Sequence, residues 1–214
     1  MTHTLHRQGD VKSLQEDYLL LMLPAPGFNR QGSAEKLRQF LEIALHHDPA
    51  NYGVVGKGSK FTVSTAELMD LVGDGDCVHA VFSSRESFEA ALQQLKRRDL
   101  GISVTATGLL EDIRLSCACT GLAPHTIQYS LGIGGNRDKY MPAGPVLEIT
   151  SMCGHGLVPA ALVQEMISAV SAGKRTPEEA AAELARLCPC GVFNPVRAAH
   201  LIRDQAEAGK HKGD

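Results

Sequence analysis

The apolar positions of this chain alternate between short, nearly continuous runs and longer segments with helical spacing. Residues 18–23 and 78–82 are short and almost wholly apolar, which is typical of buried strands. Residues 102–107 alternate apolar and polar side chains, as a half-buried strand does. Residues 125–131 and 146–150 predict two further strands, on either side of a glycine-rich segment.

Helices are predicted where apolar side chains recur every three or four residues after a residue that can cap the helix N-terminus. Two of the helix starts carry a serine followed three positions later by a glutamate, the pattern of a capping box. Two others carry Thr or Asn followed directly by proline, which suits the first helical position. The predicted helices begin at or near Ser33, Ser64, Ser83, Leu157, Thr176 and Asn194.

The order of these elements predicts the fold class. The strand at residues 78–82, the helix after it and the strand at residues 102–107 have the spacing of a right-handed βαβ unit. Beyond residue 152 the chain predicts only helices. We therefore expect an α/β (or α+β) fold, with a mixed sheet containing the βαβ unit in residues 1–152. A helical C-terminal part, residues 153–214, is expected to pack on this core as one globular unit.

Composition and charge narrow the class of protein. Apolar residues make up 43% of the 214 residues and charged residues 21%, which fits a globular domain and argues against disorder. A net charge of −3 provides no basic field for nucleic acid. No apolar run approaches the roughly 20 residues that cross a bilayer, so no membrane span is expected. The first twenty residues are too polar for a secretory signal, and we expect a cytoplasmic protein.

Five of the six cysteines fall into three short segments, and this grouping is the main chemical signal. The segments are Cys117-Ala-Cys119, Cys153-Gly-His-Gly and Cys188-Pro-Cys190, each at or near a predicted element boundary. In a reducing compartment such thiols favour metal ligation or thiol chemistry over disulfides. We therefore predict that these five cysteines are metal ligands. The alternative is that they are small buried apolar residues, which is the interpretation we favour for the isolated Cys77.

The predicted metal group is an iron–sulfur cluster, with zinc as the alternative. The Cys-x-x-Cys spacing of zinc ribbons and thioredoxins is absent from the sequence. Clusters are held by thiolates and need backbone donors for their sulfides, a role that Gly154 and Gly156 suit. If one cysteine of each segment binds, one iron stays open as a Lewis acid. His155 and Glu148 are then the candidates for proton transfer.

Two glycine-rich loops could bind an anion, although an ordinary turn explains each of them better. Residues 27–33 have the spacing of a phosphate-binding loop but lack its lysine, which leaves Arg30 as the only cation. Residues 132–139 combine glycines with Arg137 and Lys139. Because residues 27–33 lack the lysine of a phosphate-binding loop, nucleotide hydrolysis is not expected.

Three functions follow from the cysteine pattern. The first is a cytoplasmic iron–sulfur protein that acts as a lyase or redox enzyme on a small anionic substrate. The second is a non-catalytic metal carrier or maturation factor that hands on a soft ion by ligand exchange. The third is a metal-free cysteine enzyme that uses Cys153 as its nucleophile.

Overall fold

The computed structural model describes residues 6–142 and 144–210. Its strands form one five-stranded sheet, and two of them, the second and third, were not predicted from the sequence. They are β1 (Tyr18–Met22), β2 (Asn51–Val54), β3 (Gly58–Ser59), β4 (Val78–Phe82) and β5 (Val104–Thr107).

Helices account for most of the remaining secondary structure. Before the long loop that precedes residue 137 the helices are α1 (Val11–Leu14), α2 (Ser33–Leu45), α3 (Thr65–Leu71), α4 (Arg85–Arg98) and α5 (Leu110–Thr120). After that loop they are α6 (Arg137–Tyr140), α7 (Gly144–Ser151), α8 (Ala160–Ser171), α9 (Pro177–Arg186) and α10 (Pro195–Lys210). Among the helices of the described ranges, none combines the length and the apolar character needed to cross a bilayer.

The sheet has the strand order β3-β2-β4-β1-β5, and every pair of neighbours is antiparallel. Strands β4 and β5 both pair with β1, so they run parallel to each other with β1 between them. The predicted strand–helix–strand unit is therefore present in the split form, in which an antiparallel strand separates the two parallel ones. The expected fold class, α/β (or α+β) with a helical C-terminal part, is confirmed. The sheet is antiparallel between all neighbouring strands, and not mixed as was expected, because β1 lies between the two parallel strands.

The sheet is covered on both faces, which explains why β1 is apolar at every position. Tyr18, Leu20 and Met22 face one apolar core, which contains residues of α2 and α4. Leu19 and Leu21 face a second core, built with residues of α7, α8, α9 and α10. Successive side chains of a strand point to opposite faces, so one short strand serves both cores.

Local capping signals position several helix starts. Helix α3 shows both hydrogen bonds of the capping box that its sequence predicted. Helix α9 begins at the predicted Thr176 N-cap and Pro177, and it also shows both hydrogen bonds of a capping box, which was not predicted. The capping box predicted for Ser83 and Glu86 is wrong. Helix α4 begins one residue later, where the Ser84 hydroxyl accepts the N–H of Ser87.

The N-terminus of α2 is capped from outside its own segment. Its N-cap is Gly32, at φ 72°, where Ser33 was predicted. The Asp74 carboxylate accepts the N–H groups of Gly32 and Ala34, at 2.8 Å each, and these bonds lower the pKa of Asp74. The N–H groups at this end of the residue 27–33 loop are thus satisfied by a carboxylate of the chain itself.

Two strand predictions are wrong. Residues 125–131 form no strand, and residues 146–150 lie within α7, which packs on α8 and α10. A short apolar run does not distinguish a buried strand from a buried helix. Pro145, the second residue of α7, is a helix-start signal of the kind that correctly marked α9 and α10. The helical C-terminal packing accordingly includes α7, ahead of residue 153.

Candidate functional site

Three of the predicted cysteines meet where the loops after α7 and α9 come together. Cys153 follows α7, and Cys188 and Cys190 lie between α9 and α10. All three are buried, at 2%, 3% and 6% exposure, in the apolar core shared by these helices and the sheet. The turn formed by residues 154–157, which directly follows Cys153, is exposed.

The cluster contains four sulfur and nitrogen donors, arranged as two pairs. Cys153 and Cys188 are close enough that hydrogen bonding between their thiols lowers the pKa of Cys153 and raises that of Cys188. Nδ1 of His155 lies 3.4 Å from Sγ of Cys190. Burial raises the pKa of Cys190 and a negative charge on Cys153 raises it further, so the two pairs are close enough to interact electrostatically. We refer to Cys153, His155, Cys188 and Cys190 as the thiol–imidazole cluster.

Cys153 is the thiol of this cluster that most readily carries a negative charge. The hydrogen bond from Cys188 lowers the pKa of Cys153 most, and burial opposes this effect. The N–H groups of Leu157 and His155, and then the charge of the His155 ring, lower it further. The same hydrogen bond, together with burial, raises the pKa of Cys188, which therefore acts as the proton donor of the pair.

Backbone N–H groups lie close to Cys153 in the turn that follows it. The N–H of Gly156 donates to the carbonyl oxygen of Cys153 at 2.9 Å, in a turn where Gly156 has φ 68°. Hydrogen bonding from the N–H groups of Leu157 and His155 helps to lower the pKa of Cys153, after the larger effect of Cys188. The role predicted for Gly154 and Gly156, as donors to the sulfides of a cluster, stays a prediction.

Glu148 makes its contacts away from the thiols. It lies in α7, where Oε2 accepts a hydrogen bond from the Ser13 hydroxyl at 2.7 Å and forms an ion pair with Nη2 of Arg197 at 3.3 Å. Glu148 thereby joins the N-terminal segment to α10. These contacts give it a structural role, and the structure does not bring it to the cluster as a proton-transfer group.

Cys117 and Cys119 lie elsewhere in the fold. Both are in α5, which packs on α4 and on the edge strand β5. Cys117 is buried and Cys119 is exposed, and the electrostatic neighbour of Cys119 is Arg85 of α4. The loop that carries Cys190 lies towards the other edge of the sheet, over β2, β3 and β4. The structure does not bring these two cysteines together with the other three.

Cys77, interpreted from the sequence as an isolated apolar residue, borders the cluster. It directly precedes β4 and packs against the same apolar core as Cys188 and Cys190. Burial raises the pKa of Cys77 to about 12, and a negative charge on Cys190 adds to this effect. Only the sheet topology could reveal this neighbour, because β4 is far from Cys190 in the sequence.

His79 lies directly under the Cys188–Cys190 loop. It is fully buried in β4, with Nε2 placed between Gly53 and Gly191: a Cβ at either glycine would lie 2.9 or 2.8 Å from that nitrogen. Among the described residues, neither ring nitrogen has a hydrogen-bond partner of normal geometry. Burial and the positive charge of Arg7 lower the pKa of His79 to about 3, against a weak opposing effect of the Cys190 carbonyl.

This environment predicts a pH dependence of stability. Between pH 6.5 and about 3 the unfolded chain protonates His79 and the native protein does not, so unfolding becomes more favourable as the pH falls. We expect His79 to lower the free energy of unfolding by about 2–3 kcal/mol between pH 7 and pH 4.5. Urea denaturation of the wild type and of His79→Leu across this range measures the effect. Parallel curves for the two proteins would contradict it.

The cysteine loop is the segment of residues 187–194 between α9 and α10. Arg7 connects this loop to the start of the sheet. Its guanidinium donates to the Asp17 carboxylate and to the carbonyl oxygen of Val192, two residues beyond Cys190. On the other side of the loop, the N–H of Gly56 donates to the carbonyl oxygen of Pro189 at 3.3 Å. The loop is thus held at Pro189 and at Val192, on either side of Cys190.

In the arrangement that the structure shows, the donors form pairs and do not surround one point. Within residues 6–142 and 144–210, no three His, Cys, Asp or Glu side chains are placed to hold a single metal ion. No family model matches the chain, and neither the curated proteins nor the solved structures include one that is significantly similar to it. The fold and the site define an α/β protein in which three buried thiols lie beside an exposed imidazole, and its function is inferred from that cluster.

Proposed function

We propose that this protein binds an iron–sulfur cluster through Cys153, Cys188 and Cys190 and acts in the cytoplasm as a lyase or redox enzyme on a small anionic substrate. The observation that carries the proposal is the meeting of three thiols and one imidazole from two distant segments in a buried site. Thiolates are the ligands that iron–sulfur clusters require.

The paired arrangement of the donors suits a cluster better than a single ion. Each thiolate of a cluster binds its own iron, so the sulfurs do not need to converge on one point as they do around tetrahedral zinc. If a cluster were bound, the thiol protons would be displaced, and Cys153 and Cys188 would be metal ligands instead of hydrogen-bond partners of each other. Hydrogen bonding from the N–H groups of Leu157 and His155 lowers the pKa of Cys153, after the larger effect of Cys188, and donors of this kind tune cluster thiolates.

The number of cysteines supports a reactive role. When bound, a cluster with three protein ligands supplies an iron that is open to substrate as a Lewis acid or as part of a one-electron couple. The positive charge at such an iron favours an anionic ligand, and the burial of all three thiols favours a small one. The exposed His155, with Nδ1 facing Cys190, is the group that would move a proton between the substrate and solvent.

A second candidate function, cysteine catalysis at Cys153 without a metal, is supported by the hydrogen bonds around that sulfur. Three donors from Cys188, His155 and Leu157 stabilise negative charge on one buried thiol. A thiolate of this kind is a nucleophile, and His155 beside it could serve as the acid or base.

Metal and sulfide analysis of protein purified without oxygen, combined with a visible spectrum, tests the proposal. We expect iron with acid-labile sulfide in the wild type. In Cys153→Ala, Cys188→Ala and Cys190→Ala we expect less than about a tenth of the wild-type iron, because each change removes a ligand. The control is Cys119→Ala, which removes an exposed thiol outside the cluster and should retain full iron content.

Each of the other outcomes contradicts the proposal in a distinct way. Zinc without sulfide would remove the iron–sulfur assignment. Metal that is lost at once to a competing thiol would indicate a carrier. Protein without metal in which Cys153 alone is rapidly alkylated would support the second candidate. Equal iron in all four variants would mean that the ligands lie elsewhere.

A further inference from the structure

We propose that residues 126–131 are an interaction surface, on which the same segment of a second copy of this chain pairs as an antiparallel β-strand. The segment lies in the long loop between α5 and α6, and in the single chain it forms no strand. The inference concerns the assembly of the protein and does not depend on metal binding. It therefore stands or falls separately from the proposed function.

The first support is a main chain that is extended and unpaired. Residues 126–134 run without a turn or bend. Among the described residues, no backbone–backbone hydrogen bond involves the N–H or C=O groups of residues 123–135. A row of unpaired N–H and C=O groups on an extended chain is a template for a strand of another chain.

The second support is the direction of the side chains. Leu131 is 94% exposed, Tyr129 is 68% exposed and Ile127 is 47% exposed. Ser130, between two of them, is half-buried, and its hydroxyl oxygen lies 2.9 Å from Nδ1 of His6. A polar residue thus faces the chain itself while its apolar neighbours face solvent. This is the reverse of the usual arrangement, and a second surface that covers the apolar side chains removes them from water.

The absence of charge favours a second copy as the occupant. Residues 115–136 contain no Asp, Glu, Lys or Arg, although charged residues make up 21% of the chain. Proteins protect exposed strand edges from pairing with charged side chains, above all with lysine, and this segment has none. Two copies of an uncharged segment also meet without repulsion, whereas a strongly charged partner would find no opposite charge here.

The side-chain pattern sets the register of the pair. On a strand, Ile127, Tyr129 and Leu131 share one face. A two-fold axis through Tyr129 places the two Tyr129 side chains side by side, and it places Ile127 of each copy opposite Leu131 of the other. Such pairs of aromatic, branched and aliphatic side chains stabilise neighbouring strands. A shift by one residue would turn the apolar side chains of one copy to the opposite face.

The size of the surface fits a dimer of moderate affinity. With the exposed fractions given above, the three apolar side chains and the main chain between them offer on the order of 500 Å² per copy, which is near the lower limit for a specific interface. The strand is short because Pro124 lacks an N–H group and Gly132, at φ 85°, leaves the extended conformation. A short strand paired about a two-fold axis closes as a dimer, and we expect a dissociation constant in the micromolar range.

Sedimentation equilibrium of the full chain between about 1 and 100 µM tests the inference. We expect the wild type to change from one chain to two over this range, whether or not metal is bound. Tyr129→Lys places two like charges directly opposite each other at the axis. Because each dimer contains two copies of the change, we expect the dissociation constant to rise by about a hundredfold or more. Tyr129 is 68% exposed in the single chain, so the fold and its Tm should not change.

Two further variants serve as controls. Tyr129→Phe keeps the ring and should keep the dimer. Phe28→Lys changes an aromatic residue that is 92% exposed in another loop and should leave the dissociation constant unchanged. Hydrogen exchange locates the interface: the amides of residues 126–131 should exchange at least about tenfold more slowly in the wild type than in Tyr129→Lys at 100 µM.

Three results would overturn the inference. The first is a wild type that remains a single chain at 100 µM. The second is an equal loss of association in Tyr129→Lys and Phe28→Lys. The third is a dimer in which the amides of residues 126–131 exchange as fast as in Tyr129→Lys, which would place the contact on another surface. Protection of these amides only by a different protein would likewise exclude a second copy as the occupant.

Discussion

Asp17→Ala is expected to lower the free energy of unfolding by about 3–5 kcal/mol, because it leaves two buried guanidinium groups with too little negative charge. Asp17 is 3% exposed and directly precedes β1. One of its oxygens accepts hydrogen bonds from the Arg7 guanidinium and from the side-chain amide of Asn194. The other accepts a hydrogen bond from Nη1 of Arg197 at 2.9 Å. Half-buried Glu148 provides the second negative charge, so the group as a whole is balanced.

This ion group joins parts of the chain that are far apart in sequence. Arg197 also donates to the backbone carbonyl of Gln8 at 2.6 Å and to the Ser13 hydroxyl at 3.0 Å. It thereby ties the N-terminal segment to the first turn of α10. Through Arg7 and the carbonyl of Val192, the same group reaches the cysteine loop. Loss of Asp17 is therefore expected to loosen the site as well as the fold.

Chemical denaturation and thermal unfolding of Asp17→Ala measure this effect. For a chain of this size the predicted loss corresponds to a drop in Tm of roughly 10 °C. The control is Glu183→Ala, which breaks an exposed carboxylate–arginine pair with Arg186 and should change stability by less than about 0.5 kcal/mol. Similar losses of stability in Asp17→Ala and Glu183→Ala would show that the buried ion group adds no more stability than an exposed ion pair.

Gly191→Ala is expected to destabilise the protein by about 2–5 kcal/mol, through two separate effects. Gly191 has φ 66°, a left-handed conformation that costs an alanine about 1–2 kcal/mol. A Cβ at this position would also lie 2.8 Å from Nε2 of His79 and 2.8 Å from Cβ of Ser59. Both neighbours are fully or almost fully buried, so they have little room to move aside.

Gly173→Ala is the matched control for the backbone effect. Gly173 has φ 69°, but a Cβ there would meet no atom within 4 Å. Its loss of stability should therefore be limited to the conformational cost, about 1–2 kcal/mol. The difference between the two variants in urea denaturation isolates the close approach of the cysteine loop to His79. Equal losses of stability in Gly191→Ala and Gly173→Ala would mean that the cysteine loop moves away from the sheet at no cost in free energy.

Local signals determined much of the fold. The buried run of β1, the capping box of α3 and the proline starts of α9 and α10 act within a few residues, so the sequence predicted them correctly. Where the signal was only a short apolar run, as in α7, the prediction of a strand was wrong, because such a run buries equally well in either element. The unpredicted β2 includes Asn51 and Gly53, which are poor strand formers.

The grouping of cysteines in the sequence picked out Cys153, Cys188 and Cys190 and placed them in loops, which is where the structure has them. The sequence by itself determined the residue types, the helix limits around the cysteine loop and the apolar character of both sheet faces. Which cysteines meet, the presence of His79 and Cys77 beneath and beside them, and the separation of Cys117 and Cys119 were decided only by the tertiary structure. The physical reason is that strand order and helix packing depend on buried contacts among many residues that are far apart in the sequence. No pattern within a few residues specifies those contacts.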